Sequence, residues 1–364
     1  ALERLVDGAQ YVAQDEHAGL PDEQPAASEM DLDLYSQAIE NWEPQAKLNE
    51  SLQLERVIRQ TDSRIQNSNG AHIFDAVTTS ILANSNGFAG GYTTTRAGRS
   101  VSPVALDGDA KRTGSYGTAA RHLRDLESVE DVARKAVKRT VELFGARKPD
   151  TMRVPVIFER DVAASVLGDI FTALSGANVA TGNSWAADRM GERIGSTFAT
   201  IVDDGRLRGA LGSSPFDGEG VPTRRTVIFD RGVLTSFVLD TYYGRRLGMP
   251  STANSIGGGI GPNNFYLENG TQSLEDLIAG TKRGVLVLDT IGFATEYATG
   301  TYSRGARGFA IEDGALAYPI EEFTIAGSFG EMLAGIDGVA NDLRFDSGIV
   351  SPSFRIAEMT VSGN

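Results

Sequence analysis

The chain has 364 residues, 41% of them hydrophobic and 23% charged, with a formal net charge of −14 and no cysteine. Length and composition suit a globular protein with room for two cores. The missing thiols exclude disulfides, thiol catalysis and cysteine-held zinc or iron–sulfur centres, and the acidity disfavours phosphate-backbone binding, which needs clustered Lys and Arg.

In chain order, Leu2, Leu5, Val6, Ala9 and Val12 form an amphipathic pattern rather than a signal peptide. The chain begins mid-helix without a methionine, which reads as a fragment or a processed form. Residues 15–47 are acidic and proline-bearing, an expected connector packing through Leu32, Leu34, Tyr35 and Trp42. A helix is expected at about 46–61. Strands follow at 64–67 and 71–83, broken by turns at Asn67-Ser68-Asn69-Gly70 and Asn84-Ser85-Asn86-Gly87, because Asn-Gly tolerates positive φ. Strands at 91–99 and 100–107 complete an antiparallel meander.

The clearest helix is 129–144, with apolar residues at helical spacing, Ser128 as its cap and Gly145 at its end. A linker through Pro149 then divides the chain into residues 1–148, a mixed α/β domain, and 149–364, a β-rich domain. The fold class is therefore α+β. Beyond the linker the pattern predicts a strand at 152–158, a helix at 161–175, and hairpins at Asp230-Arg231-Gly232 and Glu312-Asp313-Gly314. Short helical patterns lie near 274–279 and 330–333.

Residues 213–248 carry the richest chemistry: the acidic turn Pro215-Phe216-Asp217-Gly218-Glu219-Gly220, the pair Arg224-Arg225, a hairpin, and an expected polar loop. Glycines at 218 and 220 would let two carboxylates project from one bend. The three histidines, His17, His72 and His122, all precede the linker, which leaves a Ser/His/Asp triad unsupported. Neither HExxH nor HExxxH occurs. Asp203, Asp204, Asp217 and Glu219 could serve a hard cation, or they cap turns and pair with Arg224, Arg225, Arg245 or Arg246. The glycine run 257–261 fits no phosphate-loop pattern and reads as a mobile loop. Residues 299–309, TGTYSRGARGF, read either as a structural loop or as a loop holding an extended peptide through backbone donors, Arg304 and Arg307.

Taken together, residues 213–248, Tyr302 to Phe309, Tyr318-Pro319-Ile320, Thr324-Ile325-Ala326-Gly327 and Met359-Thr360-Val361-Ser362-Gly363 resemble the TldD/PmbA family. Upstream, Gly19-Leu20-Pro21-Asp22, Asp31 to Tyr35 and Asn84 to Phe88 fit as well, so the resemblance spans nearly the whole chain. These proteins, historically called modulators of DNA gyrase, usually carry a further N-terminal portion that this chain is expected to lack. TldD-type subunits bear a zinc-binding HExxxH helix and TldE (PmbA)-type subunits do not. With Leu174-Ser175-Gly176 and Gly182-Asn183-Ser184 as anchors, the two histidines fall on Leu167 and Thr172 and the glutamate on Gly168. The resemblance thus implies a TldE-like subunit with no catalytic or metal-binding residue and no cofactor of its own. It implies a heterodimer with a TldD-type subunit that carries the zinc, a cytoplasmic protease acting on unfolded or extended peptides. Candidate peptide-cleft or partner-facing residues are Asp217, Glu219, Arg224, Arg225, Arg304 and Arg307. The implied fold is an N-terminal mixed domain followed by a β-rich C-terminal domain. The alternatives are a stand-alone peptide-binding or regulatory homodimer, and an autonomous hydrolase.

Overall fold

The computed structural model describes residues 11, 13–22 and 30–364, so the amphipathic pattern at the N-terminus lies outside the described residues. The connector is anchored by Leu32, Leu34 and Trp42, which are buried as expected, whereas Tyr35 is 40% exposed. A single-turn helix α1 (Gln37–Glu40) and helix α2 (Pro44–Thr61) follow; α2 starts on a proline, whose missing N–H costs nothing in the first turn. The first sheet comprises β1 (Ile65–Ala83), β2 (Ala89–Asp107), β3 (Ala110–Thr113) and β4 (Tyr116–Ala120), with β2 paired to all three others. Helix α3 (Val129–Val141) is capped as expected, Ser128 accepting from the Asp131 N–H. Helices α2 and α3 close the sheet around Leu54, Ile58, Val101, Val132 and Ala136.

Two local expectations are corrected here. The turn at 67–70 is a bulge inside one continuous strand, with the register shifting between Ser68 and Ala71 and Gly70 at φ 132°. Likewise 91–99 and 100–107 form the single strand β2. The turn at 84–87 does form: the Asn84 side chain accepts from the Asn86 and Phe88 N–H groups, and Gly87 sits at φ 87°. The far half of this hairpin leaves Ile81 84% exposed, while Phe88 and Tyr92 pack edge-on against Phe216 of the second half.

The second half opens with β5 (Met152–Phe158), α4 (Arg160–Ala173) and α5 (Gly176–Ala180). Next come β6 (Ile201–Asp204), β7 (Arg225–Asp230), β8 (Val233–Leu234), α6 (Thr241–Leu247), β9 (Phe265–Leu267) and α7 (Leu274–Ala279). Then β10 (Arg283–Glu296), β11 (Thr301–Glu312), β12 (Ala315–Ser328), α8 (Phe329–Ala334), β13 (Ile336–Val339), β14 (Ile349–Val350) and β15 (Phe354–Ser362) complete the chain. One sheet runs β12-β11-β10-β5-β15-β13, and a further β12–β15 pairing curls it back on itself; the other runs β14-β9-β6-β7-β8. Helix α4 is buried with residues of both sheets in the largest core, which gathers Val166, Ile170, Phe229, Phe265, Val285 and Phe354. The architecture is the expected α+β one, with a meander first and a β-rich region after it.

Both predicted hairpin turns form, with Arg231 and Asp313 in the left-handed region, each followed by a glycine at positive φ. The expected polar loop after the first is instead α6, because Asp240 caps the Tyr243 N–H and Gly248 ends the helix at φ 65°. Glycine-rich 299–309 is not a loop: it lies almost wholly in β11, paired on both sides.

The halves are tied together by polar contacts. The Tyr116 hydroxyl accepts from Arg160 at 3.1 Å and Arg344 at 2.8 Å, and Arg112 forms a two-pronged pair with Glu321. Among the described residues, no helix is long and apolar enough to cross a membrane.

Candidate functional site

Helix α4 is amphipathic in a lopsided way. Its buried side carries Val162, Val166, Leu167, Ile170 and Phe171, and its accessible strip carries Asp161, Ser165, Gly168 and Thr172. Leu167 is 2% exposed and packs among Val166, Ile170, Ile201, Met332 and Phe354. A Cβ at Gly168 would meet nothing within 4 Å, so open space lies over that turn. The Thr172 hydroxyl donates to the Gly168 carbonyl at 2.9 Å, back-bonding within its own helix.

The one carboxylate in the middle of this helix is committed elsewhere. Asp169 accepts from Arg304 at 2.8 and 3.1 Å and from the Tyr297 hydroxyl at 3.3 Å. Arg304 also donates to the Gly292 carbonyl and to Thr295. Burial raises the Asp169 pKa, with Arg304 opposing it. A hydrocarbon side chain, a bare backbone and a back-bonded hydroxyl do not fit a zinc ion. Among the described residues, no group of three or more His, Cys, Asp or Glu side chains is placed to hold a metal.

The acidic turn also points inward, contrary to expectation. Asp217 is buried and accepts three backbone N–H bonds, from Glu219 at 3.0 Å, Val221 at 2.9 Å and Ser255 at 3.1 Å. The Glu219 carboxylate accepts from the Thr241 N–H in the first turn of α6. Asp203 is buried too, accepting from the Asn254 and Asn263 side chains and the Asn263 N–H. These two buried carboxylates therefore pin the loop that carries exposed Ile256 and the glycine run 257–261, whose ends meet in a Ser255–Ile260 bridge.

Burial pushes both Asp203 and Asp217 up to about 6, their hydrogen-bond donors opposing it. Because 6 lies above the ordinary 3.8, the folded state holds these protons more tightly than the unfolded chain. Their contribution to stability is therefore complete below pH 4 and lost as pH rises through about 6. Carboxyl ¹³C titration should show both midpoints near pH 6. Each group should cost on the order of 3 kcal/mol of stability between pH 4 and pH 7. Midpoints below 4 would contradict this.

The other predicted residues scatter. Arg224 donates to the Ser251 carbonyl, Arg225 pairs with Glu268 at 2.7 Å, and Arg307 pairs with Asp289. Arg245 holds Asp22 and the carbonyls of the connector. Asp217 thus bonds to backbone N–H groups, with Arg224 close enough to feel its charge. Arg304 and Arg307 lie on β11, apart from the turn, and Arg304 is buried rather than presented to a peptide. The three histidines stay apart, His17 beside Tyr242, His72 on β1 and His122 against Asp33.

Sequence reasoning missed Asp169 and Tyr297. A lone carboxylate in the apolar run VAASVLGDIFTAL was the available signal, since such a charge needs a buried partner. It also missed a groove of about 750 Å³ between the β1–β2 hairpin and the loops around residues 211–218 and 254–263, large enough for a ligand.

Comparisons with known proteins agree with this architecture. A family model described as the PmbA/TldA metallopeptidase central domain matches residues 38–144, and one for the C-terminal domain matches 151–363. Metalloprotease PmbA of Escherichia coli O157:H7 is 33% identical over 364 residues, covering 100% of this chain and 79% of that protein. The PmbA homolog of Haemophilus influenzae is 34% identical, covering 100% of this chain and 80% of that protein. Among solved structures, a Bacteroides thetaiotaomicron protein described as a modulator of DNA gyrase superposes with a TM-score of 0.92 at 27% identity, covering 100% of this chain and 82% of that one. TldE from Thermococcus kodakarensis superposes with a TM-score of 0.88 at 25% identity, covering 100% and 84%.

Proposed function

This chain belongs to the PmbA/TldD metallopeptidase family, and on that premise we propose that it is the metal-free subunit of a two-chain zinc protease. The α4 strip carries the reading. Where a TldD-type subunit would present two histidines and a glutamate, this helix has a core leucine at 167, a threonine at 172 bonded to its own helix, and a glycine at 168. The carboxylate that follows Gly168 in the helix, Asp169, is held by Arg304 and Tyr297. A TldD-type partner supplies the zinc and the general base. This chain closes the shared cavity and positions an unfolded or extended peptide, in cytoplasmic peptide maturation or degradation. Its likeness to proteins named PmbA and TldE supports the assignment of subunit type.

The test is association. Mixing the full chain with a TldD-type protein should give a complex whose light-scattering mass equals the sum of the two subunits in equal numbers. A chain that only self-associates, and ignores every such partner, would instead favour the stand-alone peptide-binding homodimer.

A further inference from the structure

The groove between the hairpin and the C-terminal loops carries charge of the opposite sign to the molecule. The chain has 48 acidic and 34 basic residues, yet the groove is lined by two arginines, Arg96 and Arg121, against the single carboxylate of Asp217. That carboxylate is spent on the N–H groups of Glu219, Val221 and Ser255. Arg121 is buried and donates to the carbonyls of Thr95, Ala210, Leu211 and Ser213, with no ion pair among the described residues. Those dipoles fix its position without cancelling its charge. Burial lowers its pKa and Arg96 adds to the effect, so the two cations share one field.

Arg96 is the accessible member of the pair. It is exposed, lies 5.6 Å from the Phe74 ring centroid, and has no ion pair among the described residues. Stacking on a ring face orients a guanidinium and leaves its N–H edge open for a carboxylate. A cation in a concave site with low-dielectric walls attracts an anion more strongly than one on open surface. The floor beside it is low: Ala76 faces Arg96 across the ribbon, and Thr78 faces Thr94. Small side chains there leave room for a chain lying across the strands.

We propose that this groove binds an extended peptide through an acidic side chain, Arg96 pairing with the carboxylate and Arg121 standing behind it as a fixed positive charge. The occupant is the substrate of the proposed complex, so the biological role rests on the subunit reading. Binding itself needs neither the partner nor a metal. The groove shares no lining residue with the accessible α4 strip, so its work is selecting peptides, not cutting them.

Fluorescence anisotropy on the full chain alone, at low salt, tests this with three decapeptides of one backbone carrying Glu, Gln or Lys at alternate positions. The Glu peptide should bind about tenfold more tightly than the Gln peptide, the scale of one charge-assisted contact, and the Lys peptide should not bind. Raising the salt should remove the preference. Arg96→Glu should abolish it while leaving the melting temperature unchanged, because that side chain is exposed. Equal binding of the Glu and Gln peptides would overturn the acidic preference and leave peptide binding intact. Binding of none of the three would overturn the groove as a site. Neither failure touches the association test of the subunit reading, which uses no peptide.

Discussion

Asp169→Ala should lower the stability of the chain by about 3–5 kcal/mol, the cost of leaving one member of a buried ion pair without its counter-charge. The mechanism is specific. Arg304 would keep its bonds to the Gly292 carbonyl and Thr295 but lose the carboxylate that takes two of its contacts. A loss of that size is a large part of the 5–15 kcal/mol that typically separates folded from unfolded protein. The double variant Asp169→Leu with Arg304→Met should recover most of it, since well-packed apolar replacements of buried pairs are often neutral or better. Urea denaturation of the three proteins reads the outcome. A single variant as stable as wild type would show that the pair does not hold α4 to β11.

Gly308→Ala should be comparably damaging for a steric reason. A Cβ there would stand 1.9 Å from the Leu286 carbonyl oxygen, on a strand paired on both sides, where neither neighbour can withdraw. We expect a loss of more than about 3 kcal/mol, or no soluble protein. Gly258→Ala is the control: nothing lies within 4 Å of its Cβ, and the change should stay within about 0.5 kcal/mol. If the two variants melt together, the glycines of 299–309 are loop glycines after all.

That contrast also marks what the amino-acid sequence makes legible. The α3 cap at Ser128 and the hairpins at Asp230-Arg231-Gly232 and Glu312-Asp313-Gly314 are local events, decided by residues within a few positions, and all formed as expected. Asn67 to Gly70 has the same turn chemistry, yet long-range pairing with β2 pulls it into a bulge. In β11 the inward positions Tyr302, Arg304, Ala306, Gly308 and Ala310 do alternate with period two. An arginine and a glycine among them hide the apolar rhythm, because Arg304 is inside only by virtue of Asp169, 135 positions away. The buried carboxylates read differently for a related reason: acidic residues beside glycine suggest an exposed bend, and only the fold reveals that the N–H groups of Glu219, Val221 and Ser255 turn Asp217 inward.

The central claim places the zinc chemistry in another chain, and peptide cleavage tests it most directly. The purified chain, alone and with a TldD-type partner, is given an unfolded peptide with and without a chelator, and bound zinc is measured in each sample. The account predicts no stoichiometric zinc and no cleavage for the chain alone, and cleavage in the mixture that the chelator abolishes. Chelator-sensitive cleavage by this chain without a partner would contradict it.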